Sequence, residues 1–247
     1  MLHLGMVTLL PPMLVSLQYG IVGRAIAKKL VKVDCWDVHA HGIGIENRVD
    51  DRPYGGGPGM VLSYKPLQAT ITQAKTAMPA HCKTIYLSPQ GKLIKQADLN
   101  YIALHKQPVL FVAGRYEGID ERIISSVIDE EWSLGDFVLS GGELAAMVFI
   151  DAIIRLIPGA IKTQATAQDS FMHGLLDYPH YTKPVYIDGM AVPPVLLTGN
   201  HQKIAEWRRK QMLGKTWLKR PDLFSRFTLS EIDQQLFNEF KQENNFL

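Results

Sequence analysis

Residues 109–144 hold two short apolar runs, each stopped by a glycine-rich turn, and this layout constrains the chain more than any other feature. Residues 109–112 are apolar and β-branched and end at Gly114, which predicts a short buried strand. Gly114-Arg115-Tyr116-Glu117-Gly118 comes next; its glycines either make a tight turn or let something approach the backbone closely. Residues 137–139, between Gly135-Asp136 and Ser140-Gly141-Gly142, predict a second strand end. From 143 to 156, Leu144, Met147, Val148 and Ile154 fall at helical spacing, stopping before Pro158. Two strand ends, two turns and a helix start therefore meet, as they do at a ligand crevice in an open α/β sheet. The spacing names no ligand, and without GxGxxG it is no dinucleotide fingerprint.

The same alternation runs back to the N-terminus. Residues 4–10, 31–38 and 83–87 read as strands, the last ending at Ser88-Pro89-Gln90-Gly91. Helical spacing covers 12–30 (split near Gly20 and Gly23), 66–77 and 96–104. Strands alternating with helices predict an α/β fold with a mainly parallel sheet covered on both faces. With 247 residues there is room for a second domain. Residues 160–173, AIKTQATAQDSFMH, are small, polar and aperiodic, which predicts a flexible linker between an α/β domain at 1–159 and a helical one at 174–247. Helices are expected near 200–213 and 230–246.

Charge matters only in its distribution, because the net value is +2. Lys203, Arg208, Arg209, Lys210, Lys215, Lys219, Arg220 and Arg226 crowd 201–227 against Glu206 and Asp222, with Trp207 and Trp217 interleaved. Such a stretch either pairs with phosphates and stacks on bases, or is a solvated face over a tryptophan core. Gly214-Lys215-Thr216 is no phosphate loop, since Arg209 stands at its first glycine and no strand leads in. Residues 49–60, VDDRPYGGGPGM, form either a long turn or a site offering backbone N–H groups, two carboxylates and Arg52. His39 and His41 lack further metal ligands at suitable spacing and read as a polar loop. Cys35 and Cys82 make no CxxC, which suits a reduced, cytoplasmic compartment. Residues 1–17 are apolar but have no basic start and are broken by Pro11-Pro12; neither a signal peptide nor a membrane association is expected.

The motifs GRYEGIDER (114–122) and DEEWSLGDFVLSGGE (129–143) closely resemble the bacterial tRNA (guanine-N1)-methyltransferase family, TrmD, of the SPOUT superfamily. VDDRPYGGGPGM, IYLSPQG, DSFMHGLLDYPHYTKP and VPPVLLTGNHQKIAEWRR extend the likeness over essentially the whole chain. The resemblance implies a deep trefoil knot in the sheet, a homodimer, and methyl transfer from S-adenosyl-L-methionine to N1 of guanosine 37 in the tRNA anticodon loop. A Mg2+ requirement is also implied, although no metal-ligand cluster shows in the sequence. Asp169 matches the family's general base, and Arg155 the arginine that steadies charge on O6. The implied donor site comprises Tyr86, Leu87, Ser88 and Pro89, then Gly114, Tyr116, Glu117 and Gly118. It continues with Leu134, Gly135, Asp136, Phe137, Val138, Leu139, Gly141 and Gly142, with Asp177 beside Glu117 at the sulfonium or amino end. By the same resemblance the 49–60 loop shapes the pocket for the target base, and Asp169 of one subunit serves the other's donor.

Some positions depart from the family pattern. Ala145 replaces a usual Pro, Phe137 a common Tyr, and Leu10-Pro11-Pro12-Met13 the usual Phe-Pro-Glu-Met; the stretch between Arg155 and Asp169 is one residue short. Two other readings stay open. A ribose 2′-O-methyltransferase would share donor binding, but the DSF and VDDRPYGGGPG motifs speak against it. A non-enzymatic RNA-binding protein would predict loss of Asp169 or Arg155, and both are present.

Overall fold

The N-terminal strand β1 (Leu2–Thr8) is buried at every position, and its neighbours explain why. In the computed structural model it is the second of five parallel strands in the order β2-β1-β6-β5-β7, with β2 at Val31–Asp37, β5 at Lys83–Leu93, β6 at Val109–Ala113 and β7 at Glu130–Ser133. Leu4 pairs with Val109 and Val33, and Ile85 with Phe111 and Glu130. Strands covered on both faces carry unbroken apolar runs, and β6 (VLFVA) is such a run. Residues 1–162 and 166–246 are described, and the chain divides into two compact units on either side of position 163. The middle of the expected linker, 163–165, lies outside the described residues.

Alternation along the strands separates two apolar layers. Leu2, Leu4, Met6, Ile85, Phe111 and Trp132 face one side, under α1 (Gly20–Ala27), α3 (Gln96–His105) and α5 (Glu143–Ile154). There the rings of Phe111, Trp132 and Phe149 pack at 5.3–6.1 Å between centroids. Val7, Tyr86, Leu110 and Val112 face the other side, under α2 (Tyr64–Ala77) and α4 (Glu121–Val127). A minor ladder pairs β3 (Asp50–Asp51) with β4 (Val61–Leu62).

Two expectations about strands are corrected. Residues 137–139 form no strand: Glu130–Ser133 takes the edge position instead, in register with Ile85–Leu87. Trp132 and Ser133 are buried there, whereas Phe137 and Val138 are exposed. The apolar triple thus has no sheet partner among the described residues and lies in the loop before α5. Nor does β5 end at Ser88. It bulges over 88–91 and resumes, so that Trp132 is opposite both Leu87 and Lys92.

In the second unit, α6 (His201–Lys219) packs with α8 (Glu231–Glu243) around Leu175, Met212, Leu213 and Phe237. α7 (Pro221–Phe224) and a hairpin of β8 (Tyr186–Ile187) and β9 (Met190–Ala191) complete it. The side chain of Asn200 caps α6, and a reciprocal Ser230–Asp233 capping box opens α8. Gly214 lies inside α6 because Phe240 fills the space beside it; a Cβ would come within 2.3 Å of that ring. Among the described residues no helix is long and apolar enough to cross a membrane.

Candidate functional site

Parallel strands end on the same edge of a sheet, and the ends of β6 and β7, with the bulge of β5, open into a cavity of about 400 Å3. Residues 86–90, 114–119, 131–135 and 137–142 line it. Its two glycine turns are stitched together: Gly142 N–H donates to Gly114 O at 2.8 Å, beside a bridge between Arg115 and Gly141. Gly142 is required by proximity. A Cβ there would lie 2.9 Å from Ala113 Cα, in backbone that cannot step aside.

One buried carboxylate ties these parts together. Glu143, the first residue of α5, is fully buried and accepts from Thr8 Oγ1 (2.8 Å) and Arg115 Nε (3.1 Å). The end of β1, the first turn and the start of α5 are thereby joined at one point. The other oxygen, Oε2, has no hydrogen-bond partner among the described residues and sits 2.5 Å from where a Gly141 Cβ would be. Sequence reading passed over Glu143; the available signal was a carboxylate at the first turn of an otherwise apolar helix, where the helix dipole favours it.

The glycine-rich segment between β3 and β4 abuts the first turn. Glu117 N–H donates to Met60 O (3.0 Å), Leu62 N–H to Gly118 O (3.0 Å) and Asp120 N–H to Leu62 O (3.1 Å). At Gly59 φ is +88°, and a Cβ would strike the Glu117 carboxylate at 2.4 Å. Burial pushes the Tyr86 phenol above its usual pKa, and burial followed by the charge of Asp50 does the same for Tyr116, so both stay protonated at neutral pH.

Every residue expected at the donor site lines this cavity except Asp136, which is exposed outside it, and Asp177, which belongs to the second unit. Asp177 accepts from Tyr178 N–H (2.7 Å), pairs with His180 Nε2 (3.0 Å), and its own N–H donates to Ser170 Oγ (2.9 Å). Arg155 follows the last residue of α5, about 18 Å along the helix from Glu143. Asp169 lies in the second unit, its N–H directed to Thr166 O at 3.4 Å. The cavity therefore gathers the other residues expected at a donor site, and Arg155 is not among those that line it. His39 and His41 lie not in a loop but in a short 3-10 helix, Val38–His41, capped by Asp37; His39 pairs with Asp37 and His41 with Gln73.

The basic stretch resolves into bound and free charges. Arg209 is held by Asp233, Lys210 by Glu239 and Glu243, and Arg220 by Asp222. Lys203, Arg208, Lys215, Lys219 and Arg226 form no ion pair among the described residues. Trp217 packs on Phe237 and Phe246 at 5.5 and 5.3 Å, so this tryptophan serves the core.

A family model described as tRNA (Guanine-1)-methyltransferase TrmD matches residues 2–226, spanning both units. The chain belongs to the tRNA (guanine-N1)-methyltransferase family. Relatives bearing the name tRNA (guanine-N(1)-)-methyltransferase include one from Legionella pneumophila (strain Paris), 64% identical over 98% of each chain. Another, from Proteus mirabilis, is 51% identical over 98% of this chain and 97% of its own. One from Coxiella burnetii is 49% identical over 98% and 99%. A family of methyltransferases implies S-adenosylmethionine as donor, and the cavity suits it: closely approached backbone, neutral phenols, and the Glu117 carboxylate for a cationic end.

Proposed function

We propose that the chain transfers the methyl group of S-adenosyl-L-methionine to N1 of guanosine 37 in the tRNA anticodon loop, as a homodimer in the cytoplasm. The observation that carries this reading is the cavity at the ends of β6 and β7 and the bulge of β5, closed by two stitched glycine turns, in a chain of this family. The donor supplies a methyl group already activated by its sulfonium charge. The protein's task lies on the acceptor, because guanine N1 carries a proton at neutral pH and has no free lone pair. Asp169 takes that proton, Arg155 holds the charge that builds on O6, and the glycine turns fix the line of attack. An aspartate is a weak base at its usual pKa of about 3.9, so it acts where closure around the substrate excludes water.

The distance of Arg155 from the cavity along α5 favours a site completed by a second copy of the chain. Leu144 and Val148 on α5, with Val15 in the 3-10 helix Pro11–Gln18 and Tyr19 just after it, are exposed apolar side chains that suit such an interface. The segment between β3 and β4, held against the first turn, forms the wall beside the target base. The trefoil knot belongs to this reading. So does Mg2+, with few protein ligands and the remaining positions filled by donor or RNA oxygens.

The test is transfer of labelled methyl to unmodified tRNA with nucleoside mapping, beside Asp169→Ala and a tRNA bearing adenosine at position 37. Label recovered as 1-methylguanosine at that position, and lost in both controls, is expected. Label on a ribose would instead make the protein a 2′-O-methyltransferase.

A further inference from the structure

The second unit contains a smaller cavity, about 280 Å3, which the chemistry above does not use. Tyr178, Ala205 and Met212 supply its apolar walls, and Gln168, His173 and Arg208 supply polar groups. Neighbouring Arg209 is fully engaged, its fork donating to Asp233 at 2.7 and 2.9 Å. Tyr178 Oη donates to Gln168 Oε1 at 3.2 Å. Arg208 differs. Its guanidinium lies 4.6 Å over the Tyr178 ring, and its Nε is buried with no hydrogen-bond partner among the described residues.

A buried N–H on a charged group without an acceptor is costly, and a ligand that brings an acceptor recovers that cost. The pocket therefore asks for a molecule with a flat apolar body and an oxygen or nitrogen acceptor at its edge. An unpaired nucleotide has both, and single-stranded RNA is commonly held on aromatic and guanidinium planes. Lys215 and Lys219, on the same helix and in no ion pair among the described residues, supply charge for the adjoining phosphates.

We propose that this cavity is a subsite for one unpaired nucleotide of the RNA substrate other than the one methylated, its base against Met212 beside the Arg208–Tyr178 stack and an acceptor on Arg208. The proposal rests on the reading that the substrate is RNA, and it adds a specificity element distant in sequence from the donor site.

The experiment measures equilibrium binding of an anticodon stem-loop series in which each loop nucleotide in turn is made abasic. Wild type is compared with Arg208→Lys, which keeps the charge and loses the fork, and Ala205→Phe, which fills the slot and removes no polar group. Thermal melts and donor titrations are run on each. Both variants should bind the intact loop about tenfold more weakly, with donor Kd and melting temperature as in wild type. One abasic position should weaken wild type tenfold and the two variants hardly at all, because the base and its pocket are then lost together. Uniform sensitivity to every abasic position, or wild-type affinity in both folded variants, would overturn the subsite. Since binding is read without turnover, a protein that shows the coupling but makes no 1-methylguanosine refutes the proposed reaction and keeps the subsite. A protein that binds no RNA refutes both.

Discussion

At the scale of single residues, Glu143 carries more than its position in SGGE suggests. It is one carboxylate shared by a hydroxyl of β1 and the guanidinium of the first turn, out of contact with water. Removing one partner of a buried ion pair leaves the other uncompensated, at a cost of about 3 kcal/mol. Glu143→Ala is expected to lose about that much stability in chemical denaturation and to weaken donor binding by calorimetry. Glu143→Gln keeps the acceptor for Thr8 and should lose less of both. The cysteines make the opposite case. Burial pushes the thiols of Cys35 and Cys82 up to about 11. At pH 7.5 almost no thiolate is present, so a thiol reagent should label the native protein slowly and the urea-unfolded chain at once. Rapid native labelling would contradict this.

Among the elements, the turn before α5 and the α6–α8 pair make separate demands. Gly142→Ala drives a Cβ into Ala113, which should weaken donor binding at least tenfold while the second unit melts unchanged. In the second unit, the Arg209 guanidinium holds the Asp233 carboxyl below its usual range. Because the native pKa is lowered, the stabilisation is complete above the usual value of 3.8 and is lost as pH falls through the native one. Asp233→Asn should cost about 2 kcal/mol near neutrality. Its gap from wild type should close when melts are repeated below pH 4; a constant gap would mean the charge is not what matters.

These elements also show what the sequence could convey. The unbroken apolar run of 109–112 and the glycines that follow reveal β6 and the cavity mouth, because burial on two faces and close backbone approach leave compositional marks. Residues 137–139 mislead for the same reason: apolar side chains that line a cavity look like those that line a core. Glu130–Ser133 reads as polar, yet it takes the edge strand through backbone pairing with β5, which side-chain patterns do not encode. The bulge at 88–91 is likewise a matter of register. The pairing of Glu143 with Thr8, far apart in sequence, left no local mark at all.

For the whole molecule, donor binding and RNA binding are expected to separate by unit. Lys215→Ala and Lys219→Ala should each reduce the salt dependence of tRNA binding, with the log–log slope falling by a little under about one per lysine, and leave donor affinity alone. Gly142→Ala should show the reverse pattern. A variant in the second unit that abolished donor binding would count against this division of labour.

The strand order has a further consequence during synthesis. β1 emerges first but is flanked on one side by β6, with Leu4 opposite Val109, and its Thr8 waits for Glu143. About a hundred residues must be added before that neighbour exists, a delay on the order of 5–20 s at translation rates of about 5–20 residues per second. Throughout that interval a strand destined for burial at every position has β2 at most for company. The nascent chain is therefore a natural client for chaperones at the ribosome, and the donor cavity comes into being late, when the start of α5 has been made.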